Sequence, residues 1–156
     1  SAEDAVALLS EIHADVNLRN KQFAERGCRG IEDWNRRFPG EALPYVVVIV
    51  DETPALLMTE KLGKKAASEL TWLAGIARSA GYCLIISSQQ VRRDVFPRAL
   101  LMNLEHRFVF RVADKFESNL LLAATGVYAT ALDPGHAIVR IGASTMRVQV
   151  PLMPDL

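Results

Sequence analysis

From Tyr45 to Val50 the sequence is an unbroken run of β-branched and aromatic side chains, and it stops abruptly at Asp51-Glu52. A strand with one wet face alternates apolar and polar residues, and this run does not alternate. It predicts a strand buried on both faces, the hallmark of a parallel sheet covered by helices. In open α/β sheets ligands sit outside the carboxyl ends of the strands, so Asp51 and Glu52 are expected in that crevice rather than in solvent. Where phosphoryl groups are transferred, the first of two such acids holds Mg²⁺ directly or through water, and the second orients or deprotonates the attacking water. The plainer alternative is an acidic pair that opens a loop, with Glu52 capping the following turn. The residues alone leave both readings open.

The flanking sequence supplies the partners of that strand. Ahead of it, residues 2–26 carry Ala5, Leu9, Ile12, Val16 and Phe23 at helical spacing. Arg19 lies on the same stripe, where it either snorkels past the core edge or is aimed at an anion. Gly27 and Gly30 stop the helix, residues 31–37 make a short amphipathic turn, and Phe38-Pro39-Gly40 ends it. After the acids, residues 61–80 form a helix with Ala66, Leu70, Leu73 and Ala77 inward, capped by Gly81. Residues 82–87 read as a second buried strand, with Cys83 a buried thiol. This strand ends in Ser87, Ser88, Gln89 and Gln90, and an amide there can bond an attacking water or a phosphate. A polar, basic loop and short helix follow over 88–105, then a strand at 107–112, a helix at 114–124, and strands at 137–141 and 145–150 around Gly142-Ala143. The order strand, helix, strand, helix, strand predicts an α/β doubly wound domain.

Composition narrows the function. The 156 residues favour one domain, residues 1–156, with a helical lead-in over 1–40 and the strands over 41–156. Eighteen basic residues balance eighteen acidic ones, so any grip on nucleic acid is local or shared around an oligomer. Two lone cysteines, Cys28 and Cys83, suit a reducing cytoplasm. No run reaches the ~18 apolar residues of a membrane span, so membrane attachment is expected only through regions outside this chain. The acidic start lacks a signal peptide's basic opening. His13, expected on the solvent side of the first helix, and the widely separated His106 and His136 read as structural, and Trp72 reads as packing. No G-x-x-x-x-G-K-[ST] occurs, and Gly63-Lys64-Lys65 lacks the earlier glycine. The phosphate-cradling loop and its lysine are therefore absent from the sequence.

Several blocks in register resemble the FtsK/SpoIIIE-type DNA translocase ATPases. Leu43 to Glu52, LPYVVVIVDE, resembles that family's Walker B strand. IARSAGYCLIISSQQ (76–90) is similar to its sensor block, HRFVFRV (106–112) to its next strand, and Lys115, Glu117 and Ser118 to the following helix start. Arg19, Gly27, Arg29 and Asn35 fit a pattern before the acids, with Trp34 where the family has tyrosine. The DPGHAIVRI tail resembles the conjugative-transfer branch.

The resemblance implies a RecA-like P-loop NTPase core with a mostly parallel sheet and flanking helices, incomplete because the P-loop strand is absent. In this family that strand and loop lie upstream, so the chain is expected to be a fragment of a longer motor, the alternative being a degenerate, non-hydrolysing version, with a gap, a re-pairing or a lent strand between 82–87 and 107–112. The cofactors implied are ATP and Mg. Asp51 would organise the Mg held through ATP, Glu52 would be the catalytic base, Gln89 the sensor, and Ser88 a nucleotide contact. Arg78 would be an arginine finger acting on a neighbouring subunit, and otherwise a last-turn cation favouring the helix C-terminus. The family's next arginine is Gln90 here, and a lysine of its next helix is Leu101. Lys115 is retained as a DNA contact, and Arg92, Arg93 and Arg98 would grip DNA phosphates instead, or form a solvated basic turn balanced by Asp94. The implied assembly is a homo-oligomeric ring, a hexamer, on double-stranded DNA in the cytoplasm. Its setting would be chromosome partition or conjugation. Alternatives are a type VII secretion-like ATPase acting on protein and a non-catalytic subunit-interaction module.

Overall fold

The computed structural model describes residues 1–92, 94–123 and 126–151. They form two compact units, divided between Asn103 and Leu104. This boundary does not coincide with the end of the helical lead-in.

The first unit opens with α1 (Ala2–Glu25), begun by a reciprocal capping box between Ser1 and Asp4. Its inward stripe is Val6, Leu9, Val16, Arg19 and Phe23. It packs on α4 (Gly63–Ile76), whose Ala66, Leu70 and Leu73 are buried. Burying a leucine such as Leu70 contributes about 1.5–3 kcal/mol. His13 is half-buried and not on a solvent face. Its ring stacks on Trp72 at 3.6 Å and its Nδ1 lies 2.6 Å from Glu69 Oε2, so it joins α1 to α4.

The short helix α2 (Ile31–Arg37) carries Trp34 into a cluster with Phe23, Cys28 and Ile31. Asn35 then pins the chain entering the sheet, since its side chain both accepts from Leu43 N (2.8 Å) and donates to Leu43 O (2.9 Å). Two parallel strands follow in register, β1 (Val46–Val50) and β2 (Tyr82–Ile86), joined through α3 (Thr53–Leu57) and α4. The unit ends in α5 (Arg98–Asn103), which packs on α4.

Burial on both faces of these strands is corrected by the structure. Val47 and Cys83 pair side by side, as do Ile49 and Ile85, and this face is open, with Ile49 68% and Ile85 47% exposed. Cys83 is likewise exposed rather than a buried thiol. The opposite face meets α1 through Tyr82, whose hydroxyl lies 2.5 Å from Asp15 Oδ2. Burial, followed by the hydrogen bond to Asp15, pushes the Tyr82 hydroxyl up to about 12. A continuous β-branched run records side chains suited to two-sided burial, whereas actual burial needs a layer on each side. The described residues of this unit supply one.

Arg19 does not snorkel past the core edge, and the anion it meets is the Asp15 carboxylate. Its side chain is buried, its Nη1 donates to Pro44 O (2.9 Å) and Ala80 O (3.1 Å), and its Nε lies 2.7 Å from Asp15 Oδ2. One guanidinium thus ties α1 to the segments that enter both strands. Between α4 and β2 the chain makes a 3-10 turn, Ala77–Ala80, and reverses at Gly81 in the left-handed region, φ 87.

The second unit is built on an antiparallel sheet ordered β3 (His106–Val109), β4 (His136–Ile141), β5 (Ser144–Gln149). The strand expected at 107–112 therefore ends at Val109 and pairs with β4, not with a parallel neighbour. Between β3 and β4 lies α6 (Lys115–Leu122), and Val109, Leu122, Ala129, Leu132 and Ile138 form the core. Arg107 donates to Leu120 O (3.3 Å) and Leu121 O (2.5 Å), satisfying carbonyls at the end of α6. The other end is capped by Asp114, whose Oδ1 accepts from Glu117 N at 2.8 Å. Asp114→Ala is expected to destabilise the chain by about 1 kcal/mol, read as a lower urea midpoint with an unchanged slope. An unchanged midpoint would remove the cap from the stability account.

Candidate functional site

Parallel pairing in register brings the carboxyl ends of β1 and β2 together, and the polar residues that end each strand meet there. Backbone bonds fix the juncture: Ser87 N donates to Val50 O (3.0 Å), and Thr53 N donates to Ser87 O (3.0 Å). Between these bonds the chain turns through Glu52, a non-glycine residue at φ 43, ψ 54. A left-handed conformation carries a small steric cost for such a residue, so its surroundings must hold it. The Ser87 hydroxyl donates to Asp51 Oδ1, and Glu52 N lies 3.0 Å from that same oxygen and 3.3 Å from Ser87 Oγ. The Glu52 carboxylate reaches the neighbouring strand end, where its Oε2 accepts from Gln89 N at 3.3 Å.

Beside this turn is a cleft of about 280 Å³ lined by Glu52, Met58, Gln89, Gln90 and Arg92 among others. Asp51 is exposed next to it and is not one of its lining residues, whereas Glu52 is half-buried. The donors gathered here are carboxylate and hydroxyl oxygens, a hard set that suits Mg²⁺. Among the described residues no group of three or more His, Cys, Asp and Glu is placed to hold a metal.

Ser88 Oγ donates to Gln90 O at 2.5 Å. Arg92 makes a two-bond ion pair with Asp94 (3.1 and 2.6 Å), which holds the Asp94 carboxyl below the usual carboxylate range. Arg98 is exposed at the start of α5. Arg93 lies outside the described residues. Arg78 is exposed on the 3-10 turn ahead of β2, at the strand end opposite the acids. Four strand rises separate the two ends, roughly 13 Å. Lys115, in the second unit, places its Nζ 5.1 Å from the centre of the Tyr128 ring.

No protein-family profile matches the chain. The protein named DNA translocase FtsK of Chlorobaculum tepidum is 32% identical over 124 residues, which are 80% of this chain and 15% of that protein. That of Campylobacter jejuni (serotype O:23/36, strain 81-176) is 34% identical over 125 residues, 78% of this chain and 13% of the relative. The Bacillus cereus FtsK is 32% identical over 157 residues, covering 94% of this chain and 20% of its own length. The chain belongs to the FtsK/SpoIIIE family.

Solved structures agree on the fold of this FtsK-type chain, a P-loop ATPase domain of mixed α/β type. The pCW3 conjugation coupling protein TcpA, determined as a monomer with ATPγS, superposes with a TM-score of 0.85 at 25% identity, over 96% of this chain and 44% of that one. ATPases 2 and 3 of EssC from Geobacillus thermodenitrificans give a TM-score of 0.75 at 20% identity, over 96% of this chain and 27% of that one. The chain spans a fifth or less of the FtsK relatives cited. The residue missed by the sequence reading of this FtsK-type site is Ser87. It was visible as a polar strand end, but only the structure shows its hydroxyl joining Asp51 and the Glu52 backbone.

Proposed function

We propose that the chain is the nucleotide-hydrolysing part of an ATP-driven motor that moves double-stranded DNA, working as a homo-oligomeric ring, a hexamer, in the cytoplasm. The observation that carries this reading is the juncture of the two strand ends, where Asp51, Glu52, Ser87 and Gln89 are joined by hydrogen bonds in a chain of the FtsK family. Asp51 would hold Mg²⁺ through its carboxylate, directly or through water. Glu52, half-buried and facing the cleft, would accept the proton of the attacking water. Gln89, on the neighbouring strand, would register that water or the phosphate through its side-chain amide. Bound ATP with Mg²⁺ would supply the transferable phosphoryl group and the cation that offsets its charge. Ser88 would touch the nucleotide once its hydroxyl leaves Gln90.

Arg78 sits too far along the strands to serve the acids of its own chain. It is exposed, and among the described residues its guanidinium has no partner. That suits an arginine that stabilises phosphoryl charge on a neighbouring subunit. Arg92, Arg98 and Lys115 would contact phosphates of the duplex, with Arg92 exchanging Asp94 for the ligand. The relatives named DNA translocase and conjugation coupling protein support DNA as the cargo; the setting would be chromosome partition or conjugative transfer.

The test is ATP hydrolysis by the complete gene product with and without duplex DNA. Stimulation by duplex DNA is expected. Hydrolysis indifferent to DNA would overturn the DNA cargo in favour of a polypeptide, and absence of hydrolysis would leave the chain a subunit-contact module.

A further inference from the structure

We infer that the Ser87 hydroxyl is the positioning group of the acid turn, setting Asp51 and Glu52 for the metal. The inference rests on the proposed roles of those two acids and assigns a third residue to the same site. Ser87 makes two kinds of bond. Its backbone holds the strands in place, with its N donating to Val50 O and its carbonyl accepting from Thr53 N, both at 3.0 Å. Its hydroxyl does something separate: it donates to Asp51 Oδ1 and lies 3.3 Å from Glu52 N.

The consequences differ for the two acids. One oxygen of Asp51 is occupied by the hydroxyl and by Glu52 N, which fixes the plane of the carboxylate and leaves Oδ2 as the oxygen available to a cation. For Glu52, the contact to its N–H steadies a residue at φ 43, and from that conformation its carboxylate reaches Gln89 N. Groups that orient metal-ligating carboxylates in this way commonly change metal affinity or activity by 10–100-fold. Ser87 and Asp51 are exposed, so water competes for their bond and the effect belongs at the low end of that range. A Ser87→Ala substitution deletes the hydroxyl and keeps both backbone bonds, so it isolates this contribution.

The experiment uses Mn²⁺ as the probe of the Mg²⁺ site and reads paramagnetic broadening of the backbone amide signals of the chain, without nucleotide or turnover. In the unmodified chain, broadening is expected at residues 51–53 and 87–90. S87A should raise the Mn²⁺ concentration for half-broadening about tenfold, and S87T, which restores a hydroxyl on the same backbone, should stay within about twofold of the parent. Equal half-broadening in S87A and the parent would overturn the role of Ser87 while leaving the acid site standing. S87T as weak as S87A would also overturn it, because the hydroxyl would then not be the active group. No broadening at those residues in the parent would overturn the inference, since the acid turn would then offer no preset cation position for Ser87 to hold, and the nucleotide-dependent role of Asp51 would rest on the turnover test alone.

Discussion

Replacing Glu52 with glutamine lowers ATP turnover by the complete protein by about 10²–10⁴-fold, the span usually contributed by a positioned general acid or base. The change is nearly isosteric. Glutamine retains an oxygen that can accept from Gln89 N, as Glu52 Oε2 does at 3.3 Å, and it occupies the left-handed region no less easily than glutamate. What it cannot do is take a proton from water. Nucleotide binding is therefore expected to persist within about twofold while phosphate release collapses, a split that removal of a transition-state group produces and loss of uniform binding does not. Steady-state phosphate release together with equilibrium nucleotide binding reads both halves. Turnover within a few-fold of the parent would take the base role away from Glu52.

Much of this site was legible in the sequence because it depends on strand ends. A β-branched run that stops at two acids, followed a helix later by an apolar run that stops at Ser-Ser-Gln-Gln, places both polar groups at the same edge once the strands pair in parallel. The structure pairs Val50 with Ile86, so the two ends coincide. Helix faces were equally readable: Ala66, Leu70, Leu73 and Ala77 are all buried. What the sequence could not reveal was tertiary cover and long-range pairing. Val47 and Ile49 are chemically fit for a core yet remain on an open face, since burial depends on a second layer and not on the strand. His13 has no local signal for its contact with Glu69, which lies 56 positions away. The same holds for β3, whose pattern is compatible with either a parallel or an antiparallel neighbour. The structure pairs it antiparallel with β4, on the edge away from β5.

Arg19→Met is the substitution expected to cost the first unit the most stability for its size, about 3 kcal/mol. Methionine covers the apolar stem of α1 that Arg19 covers, so packing is largely kept and the loss is assigned to the guanidinium. Pro44 O and Ala80 O lose the donor they share, and the Asp15 carboxylate loses its cation while keeping the Tyr82 hydroxyl. The stacking of the guanidinium 4.9 Å from the Tyr82 ring centre goes as well. Removing one partner of a buried ion pair commonly costs 3–5 kcal/mol. Asp15 is 40% exposed and can recover some hydration, which places the value at the lower end. Each carbonyl left without its donor adds to the loss only as far as water is excluded from it. For a chain of this length the melting midpoint should fall by about 10 °C. Arg19→Lys should lie between, because an ammonium can hold one carbonyl and Asp15 but not the forked set. The damage should also be local in a particular way. Arg19 binds the carbonyl of Ala80, and Ser79 Oγ lies 3.3 Å from Asn20 Oδ1, so both contacts tie the turn that carries Arg78 to α1. Amide hydrogen exchange at residues 77–81 should therefore accelerate in Arg19→Met more than exchange at the acid turn, whose bonds run between β1 and β2. Uniform acceleration across both, or a midpoint equal to the parent's, would show that α1 does not set that turn.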